Sequence, residues 1–179
     1  FMTTRPRIAL VGAGPWAQDL LTLRGAALLR EADVVIYDYL VNRAHLDQVR
    51  STCECICVGR PPRRMSQNQI HELMIAAVKK GQRVVRLKGG DPFIFGRGGE
   101  EAEILENHGI AFEVVPGITT ALAAAAYAGV SLTHRDICST VTFVTGHEKG
   151  DGSARKPNWS ALVELDTLVL YMAAGSIQR

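Results

Sequence analysis

The sequence predicts an α/β fold in two parts, a parallel-sheet N-terminal domain and an incomplete α/β second domain. Three observations predict it. Strand-like and helix-like patterns alternate along the chain, which calls for parallel pairing joined by crossover helices. Glycine clusters follow the apolar strand runs, at the edge where open α/β sheets take their ligands. The composition, 47% hydrophobic and 21% charged, is that of a folded globular chain.

The elements follow in order. Arg7 to Val11 is a short apolar strand that ends in Gly12-Ala13-Gly14-Pro15. Asp19 or Thr22 caps the next helix, whose Leu20, Leu23, Ala27 and Leu28 fall on one side. Asp33 to Tyr37 is a second strand, closed by Asp38, and Cys53 to Val58 a third, followed by the basic loop Gly59 to Arg64. Ser66-Gln67-Asn68-Gln69 has capping-box form, since the Ser oxygen and the Gln side chain satisfy each other's orphan N–H groups. Ile70, Leu73, Met74 and Ala77 continue that helix until Lys79-Lys80-Gly81 stops it.

Arg83 to Lys88 reads as a strand leading into Gly89-Gly90-Asp91-Pro92, with a second cluster at Gly96 to Gly99. Glycine there lets backbone approach a ligand without a Cβ in the way. A helix from Glu100 to His108, a strand at Phe112 to Val115 and a small-residue helix at Ala121 to Ala128 complete the first part. Thr140 to Thr145, Trp159 to Leu165 and Thr167 to Met172 give strand, helix and strand in the second. The expected division is residues 1–116, a connecting segment 117–139, and a partial domain 140–179. The stretch from Lys149 to Pro157 reads as a mobile loop.

Charge and apolar patterning narrow the function classes. A net charge of +2 does not by itself imply a nucleic-acid partner. No apolar run is long enough to span a bilayer, and the N-terminus has no apolar signal core, so a cytoplasmic protein is expected. Cys53, Cys55 and Cys57 share one face of a strand and read as small buried hydrophobes; a metal would need further ligands, and none is expected. His45, His71 and His108 read as ordinary residues. Gly12, Gly14 and Ala17 also fit the dinucleotide pattern G-x-G-x-x-G/A, with Asp38 placed for a ribose, so NAD(P) binding stands as an alternative. Pro15 and Trp16 weigh against it, because an indole crowds a pyrophosphate.

Taken together, Val11 to Pro15, Asp19 to Leu23, Ala32 to Asp38, Val84 to Glu101, Val114 to Thr119, Leu132 to Arg135, Val144 to His147 and Tyr171-Met172 resemble the tetrapyrrole methylase family, in its uroporphyrinogen-III C-methyltransferase branch. The resemblance is collinear over nearly the whole chain and implies the two-domain fold of that family. It implies S-adenosylmethionine as methyl donor, with S-adenosylhomocysteine as product, held in a cleft between two α/β domains of a homodimer. The implied reaction methylates two ring carbons of uroporphyrinogen III to give precorrin-2, on the route to sirohaem and cobalamin.

By the same resemblance, Pro15, Gly89, Gly90, Asp91, Ile94, Thr119, Thr120 and Met172 contact the cofactor. Asp38 falls on the general base, and Arg60 on a position usually held by a lysine acid. The substrate carries eight carboxylates, so Arg63, Arg64, Arg97, Arg135 and His134 are its expected ligands. The chain departs from the family pattern at Trp16-Ala17-Gln18, where Gly-Asp-Pro is usual, and at Tyr39, where arginine is usual. Arg60 itself is a poor proton donor, because a guanidinium does not release its proton at ordinary pH. Trp16 either blocks the cofactor or sends its loop along another path. A divergent methylase, or a non-catalytic or truncated module of the same fold, are the alternatives that these departures leave open.

Overall fold

The computed structural model describes residues 6–62, 64–146 and 157–175. They form two compact units, Phe1–Thr120 and Ala121–Arg179. The first contains β1 (Ile8–Gly12), α1 (Leu23–Glu31), β2 (Val34–Tyr37), β3 (Glu54–Cys57), α2 (Gln67–Lys79), β4 (Val84–Lys88), α3 (Gly98–Asn107) and β5 (Phe112–Val115). Short 3-10 turns at Gln18–Leu20 and Arg43–Gln48 complete it.

Its five strands are all parallel, in the order β3-β2-β4-β1-β5. β4, late in sequence, is inserted between β1 and β2. Every residue of β1, β2 and β4 is buried, as expected of strands covered on both faces. Alternation divides the core into two layers. Ala9, Val11, Val35, Tyr37, Val85 and Leu87 face Leu29 of α1. Ile8, Leu10, Val34, Ile36 and Val84 face Ile70 and Met74 of α2 and Leu105 of α3.

The helix boundaries follow local chemistry. The Thr22 hydroxyl accepts from Gly25 N–H at 3.1 Å, so Thr22 rather than Asp19 caps α1. Ser66 and Gln69 make the full capping box of α2. α3 begins at Gly98, earlier than expected from Glu100, because Arg97 takes a left-handed turn and Gly98 N–H bonds Pro92 O at 2.9 Å. At the other end of the sheet the Asp33 carboxylate accepts from Arg83 N–H and from Arg50, which ties the starts of β2 and β4 together.

The second unit has α4 (Thr120–Ala128, its first residue in the first unit), β6 (Val141–Thr145), α5 (Trp159–Leu162) and β7 (Thr167–Tyr171). β6 and β7 pair in parallel. Phe143 and Tyr171 meet edge-on at 5.7 Å, and the Tyr171 hydroxyl accepts from Ala121 N–H. α5 stops short of the expected Leu165, with Val163 as its last cap. No described helix is long and apolar enough to cross a membrane. The expected loop from Lys149 lies outside the described residues up to 156.

Candidate active site

Parallel strands end on one edge, so this sheet brings Gly12, Asp38, Gly59, Gly89 and Pro116 to a common side. Asp38 follows β2, and its N–H bonds Leu87 O of β4 at 3.2 Å. Its side chain is 35% exposed, which leaves it open to a ligand while one oxygen is held from below. Arg86 Nη2 donates to Asp38 Oδ1 at 2.5 Å, and Arg86 Nε donates to Glu101 Oε1 at 2.9 Å. Lys88 Nζ donates to Glu101 Oε1 at 3.0 Å and lies 4.0 Å from Asp38 Oδ2. Glu101 Oε2 sits at the same 3.0 Å from Nζ but lacks hydrogen-bond geometry, so the pairing there is ionic.

Arg86, Lys88 and Glu101 are fully buried, at 2%, 2% and 0% exposure. Gln67 of α2 extends the cluster, donating from Nε2 to Glu101 Oε1 at 3.2 Å and meeting His71 Nε2 at 3.0 Å. Burial works against the Arg86 charge, yet Asp38 and Glu101 outweigh it and hold its proton more tightly than usual. Burial, joined by the Arg86 charge, pulls the Lys88 ammonium below its ordinary value despite both carboxylates. Burial likewise lowers the His71 imidazole.

The glycine loops meet beside this cluster. Gly14 and Gly90 bond reciprocally, N–H to carbonyl, at 3.1 and 2.9 Å. Gly12, Gly90 and Gly117 approach so closely that a Cβ on Gly117 would stand 2.1 Å from Gly90 O. These glycines serve contact between backbones. Gly89 differs: it is exposed, and a Cβ there would meet nothing within 4 Å. Asp91 ties the loops together, its Oδ1 accepting from Phe93 N–H at 2.8 Å and its Oδ2 from Gly117 N–H at 3.0 Å.

The expected site residues of the first unit spread along this edge. Pro15, Asp91 and Ile94 are half-buried, Thr119 is buried and Thr120 exposed at the start of α4. Arg60 lines a cleft of about 470 Å³ with Trp16, Tyr37, Tyr39, Leu40 and Arg43. Trp16 does not fold inward: its φ of 89° turns the backbone left-handed, and the side chain stays exposed. Phe95 and Arg97 share that uncommon conformation, with φ of 51° and 58°. Arg97 donates to both oxygens of Glu100, at 2.9 and 2.6 Å, which raises its proton affinity further. Arg64 is exposed, and Arg63 lies outside the described residues.

Three expected residues belong to the second unit. Met172 is exposed with a φ of 55°, and Arg135 is exposed. His134 Nδ1 accepts from Asp136 N–H at 3.2 Å, which places any ring proton of the neutral form on Nε2. Among the described residues no three His, Cys, Asp or Glu side chains gather as metal ligands. Burial pushes the Cys53 thiol up to about 11, so it stays protonated.

Arg86, Lys88 and Glu101 were not among the residues that the sequence singled out. Their signal was there: two cations at alternate positions of Val84 to Lys88, in a strand otherwise made of Val and Leu.

Comparison with known proteins accounts for the arrangement. Residues 7–179 match the family described as Tetrapyrrole (Corrin/Porphyrin) Methylases. Uroporphyrinogen-III C-methyltransferase of Bacillus subtilis is 47% identical over 176 residues, 97% of this chain and 68% of that protein. A sirohaem synthase of Pseudomonas fluorescens is 55% identical over 174 residues, 96% of this chain and 37% of its own length. The chain thus spans little more than a third of that relative. The solved uroporphyrin-III C-methyltransferase of Thermus thermophilus, complexed with S-adenosylhomocysteine, superimposes with a TM-score of 0.79 at 40% identity, over 95% of this chain and 67% of that one. The family match covers nearly the whole chain and the backbone superimposes on a solved member, and the chain belongs to the tetrapyrrole (corrin/porphyrin) methylases.

Proposed function

We propose that the protein carrying this chain transfers methyl groups from S-adenosylmethionine to ring carbons of uroporphyrinogen III, giving precorrin-2 for sirohaem and cobalamin. The reading includes a cytoplasmic homodimer and the domain division at 117–139. The observation that carries it is Asp38: a carboxylate at the ligand-facing edge of the sheet, clamped on one oxygen and open on the other side.

The edge fits the cofactor, because Gly89 faces open space and the neighbouring backbone is fixed by Gly12, Gly90 and Gly117. Gly89, Gly90, Pro15, Ile94, Thr119 and Thr120 would hold it, with Asp91 fixing the loop; Met172 is the remaining contact that the resemblance implies. When bound, S-adenosylmethionine supplies an electrophilic methyl on a sulfonium. The chain's own task is then positioning and proton removal. Asp38 takes the proton that the macrocycle loses as the ring carbon is alkylated; that carbon carries no hydrogen of its own, so the proton leaves from a pyrrole N–H or a bridging CH2. Arg60, Arg63, Arg64, Arg97, His134 and Arg135 bind the carboxylates of the substrate; a guanidinium suits that pairing better than proton donation.

A second reading concerns the acceptor. Trp16 and Tyr39 are both exposed, line one cleft with Arg60, and stand where the family usually has glycine and arginine. That wall is aromatic where a cation is usual, which favours a tetrapyrrole with fewer or differently placed carboxylates.

Calorimetric titration with S-adenosylhomocysteine, with NADH as control, tests the cofactor, and turnover of Asp38→Asn tests the base. The expected outcome is binding of the former alone and a loss of about 10²–10⁴-fold in kcat with cofactor affinity kept. Binding of NADH alone, or wild-type turnover by Asp38→Asn, overturns the reading.

A further inference from the structure

We propose that Arg86 is a positioning residue for methyl transfer, a two-ended clamp that Glu101 anchors and that fixes the Asp38 carboxylate in its reactive orientation. The inference rests on the reading of Asp38 as the proton acceptor.

The first argument is placement. Arg86 stands opposite Leu10 of β1 and Ile36 of β2 in the ladder, and shares its face of the sheet with Val84. An apolar residue would fill that layer at no electrostatic expense, whereas each ion taken from water loses several kcal/mol of solvation before its partners compensate. Buried ion pairs of this kind are weak devices for stability, so a task for them lies elsewhere.

The second argument is geometry. The guanidinium uses Nε for Glu101, Nη2 for Asp38, and Nη1 for Ile36 O and Leu87 O at 3.4 Å each. All three nitrogens are committed, so the group is immobile. Only Oδ1 of Asp38 is engaged at hydrogen-bond distance; Oδ2 stands 4.0 Å from Lys88 Nζ, beyond it. The clamp therefore selects which oxygen is left to receive a proton.

The third argument is charge. Arg86 and Lys88 balance Asp38 and Glu101, two cations against two carboxylates. When Asp38 takes a proton, the cluster gains one net positive charge. A polycarboxylate substrate favours that state, which offsets the preference of the two buried cations for an ionised Asp38.

The experiment compares Arg86→Lys, Arg86→Gln, Asp38→Asn and the Arg86→Gln/Asp38→Asn double variant in the intact protein. It records kcat, the KM for uroporphyrinogen III and calorimetric affinity for S-adenosylhomocysteine. Arg86→Gln should lower kcat about 10–100-fold, the range for groups that orient a reacting residue, with KM and cofactor affinity nearly unchanged. Arg86→Lys keeps the buried charge beside Glu101 but cannot span both carboxylates; it should fold and still lose much of kcat. The double variant should be no slower than Asp38→Asn alone. A folded Arg86→Lys or Arg86→Gln with wild-type kcat, beside a crippled Asp38→Asn, overturns this inference and spares the reading beneath it. A double variant whose loss is the product of the two single losses overturns it too. Wild-type kcat in Asp38→Asn removes the reading itself.

Discussion

Strands β1 and β4 lie side by side, paired from Ile8 with Val84 to Gly12 with Lys88, and both are buried at every residue. β1 is wholly apolar. β4 puts Arg86 and Lys88 into the same depth of core. Burial alone therefore does not decide which side chains a strand carries; what stands across the face decides. Over Leu10 and Ile8 the facing residues are apolar, while over Arg86 and Lys88 α3 supplies Glu101. β1 is built for cohesion and β4 for the site.

The largest effect breaks that difference from the helix side. Glu101→Leu leaves two buried cations short of their anchor and should destabilise the protein by about 3–5 kcal/mol in urea denaturation. Making β4 resemble β1, with Arg86→Met, Lys88→Met and Glu101→Leu together, should recover the loss or improve on the parent by about 1–4 kcal/mol. The same triple variant should turn over far more slowly. A triple variant as unstable as Glu101→Leu would show that the charges hold the fold after all.

A smaller effect sharpens the comparison at the strand ends. Gly117→Ala would drive a Cβ into Gly90 O and the Gly12 backbone, and backbone cannot step aside. About 1–3 kcal/mol of destabilisation is expected from overpacking of this kind. Gly89→Ala meets nothing and should stay within about 0.5 kcal/mol of the parent, yet weaken S-adenosylhomocysteine binding by calorimetry. Equal stability losses in both variants would mean that the two glycines do the same work.

Much of this was legible in the residues. The capping box at Ser66, the alternation of strand and helix, and the glycine loops all follow from local chemistry that the linear order preserves. Arg86 and Lys88 were not, for a physical reason. Alternating charge in a strand reads as a solvated face until it is known that β4 is inserted between β1 and β2 and covered by α2 and α3. The Trp16 loop was half legible: an indole in a ligand loop announces a departure, but only the backbone shows that it takes the left-handed path and lines a cleft with Tyr39.

His45 supplies the last test, since it is a buried polar group without what Arg86 has. It is 0% exposed, and neither ring nitrogen has a hydrogen-bond partner among the described residues. Burial lowers its proton affinity below the ordinary 6.5. The unfolded chain therefore binds the proton first as pH falls, and the native state loses stability below about 6.5 toward the lowered native value, while above it the contribution is intact. His71, lowered by burial as well, adds a slope of the same sign. Thermal midpoints should drop between about pH 7.5 and about pH 5.5, and His45→Leu should flatten part of that drop. An unchanged slope in His45→Leu would mean that the imidazole is charged when buried, as Arg86 is. The contrast between a buried cation with two carboxylates and a buried base with none would then fail.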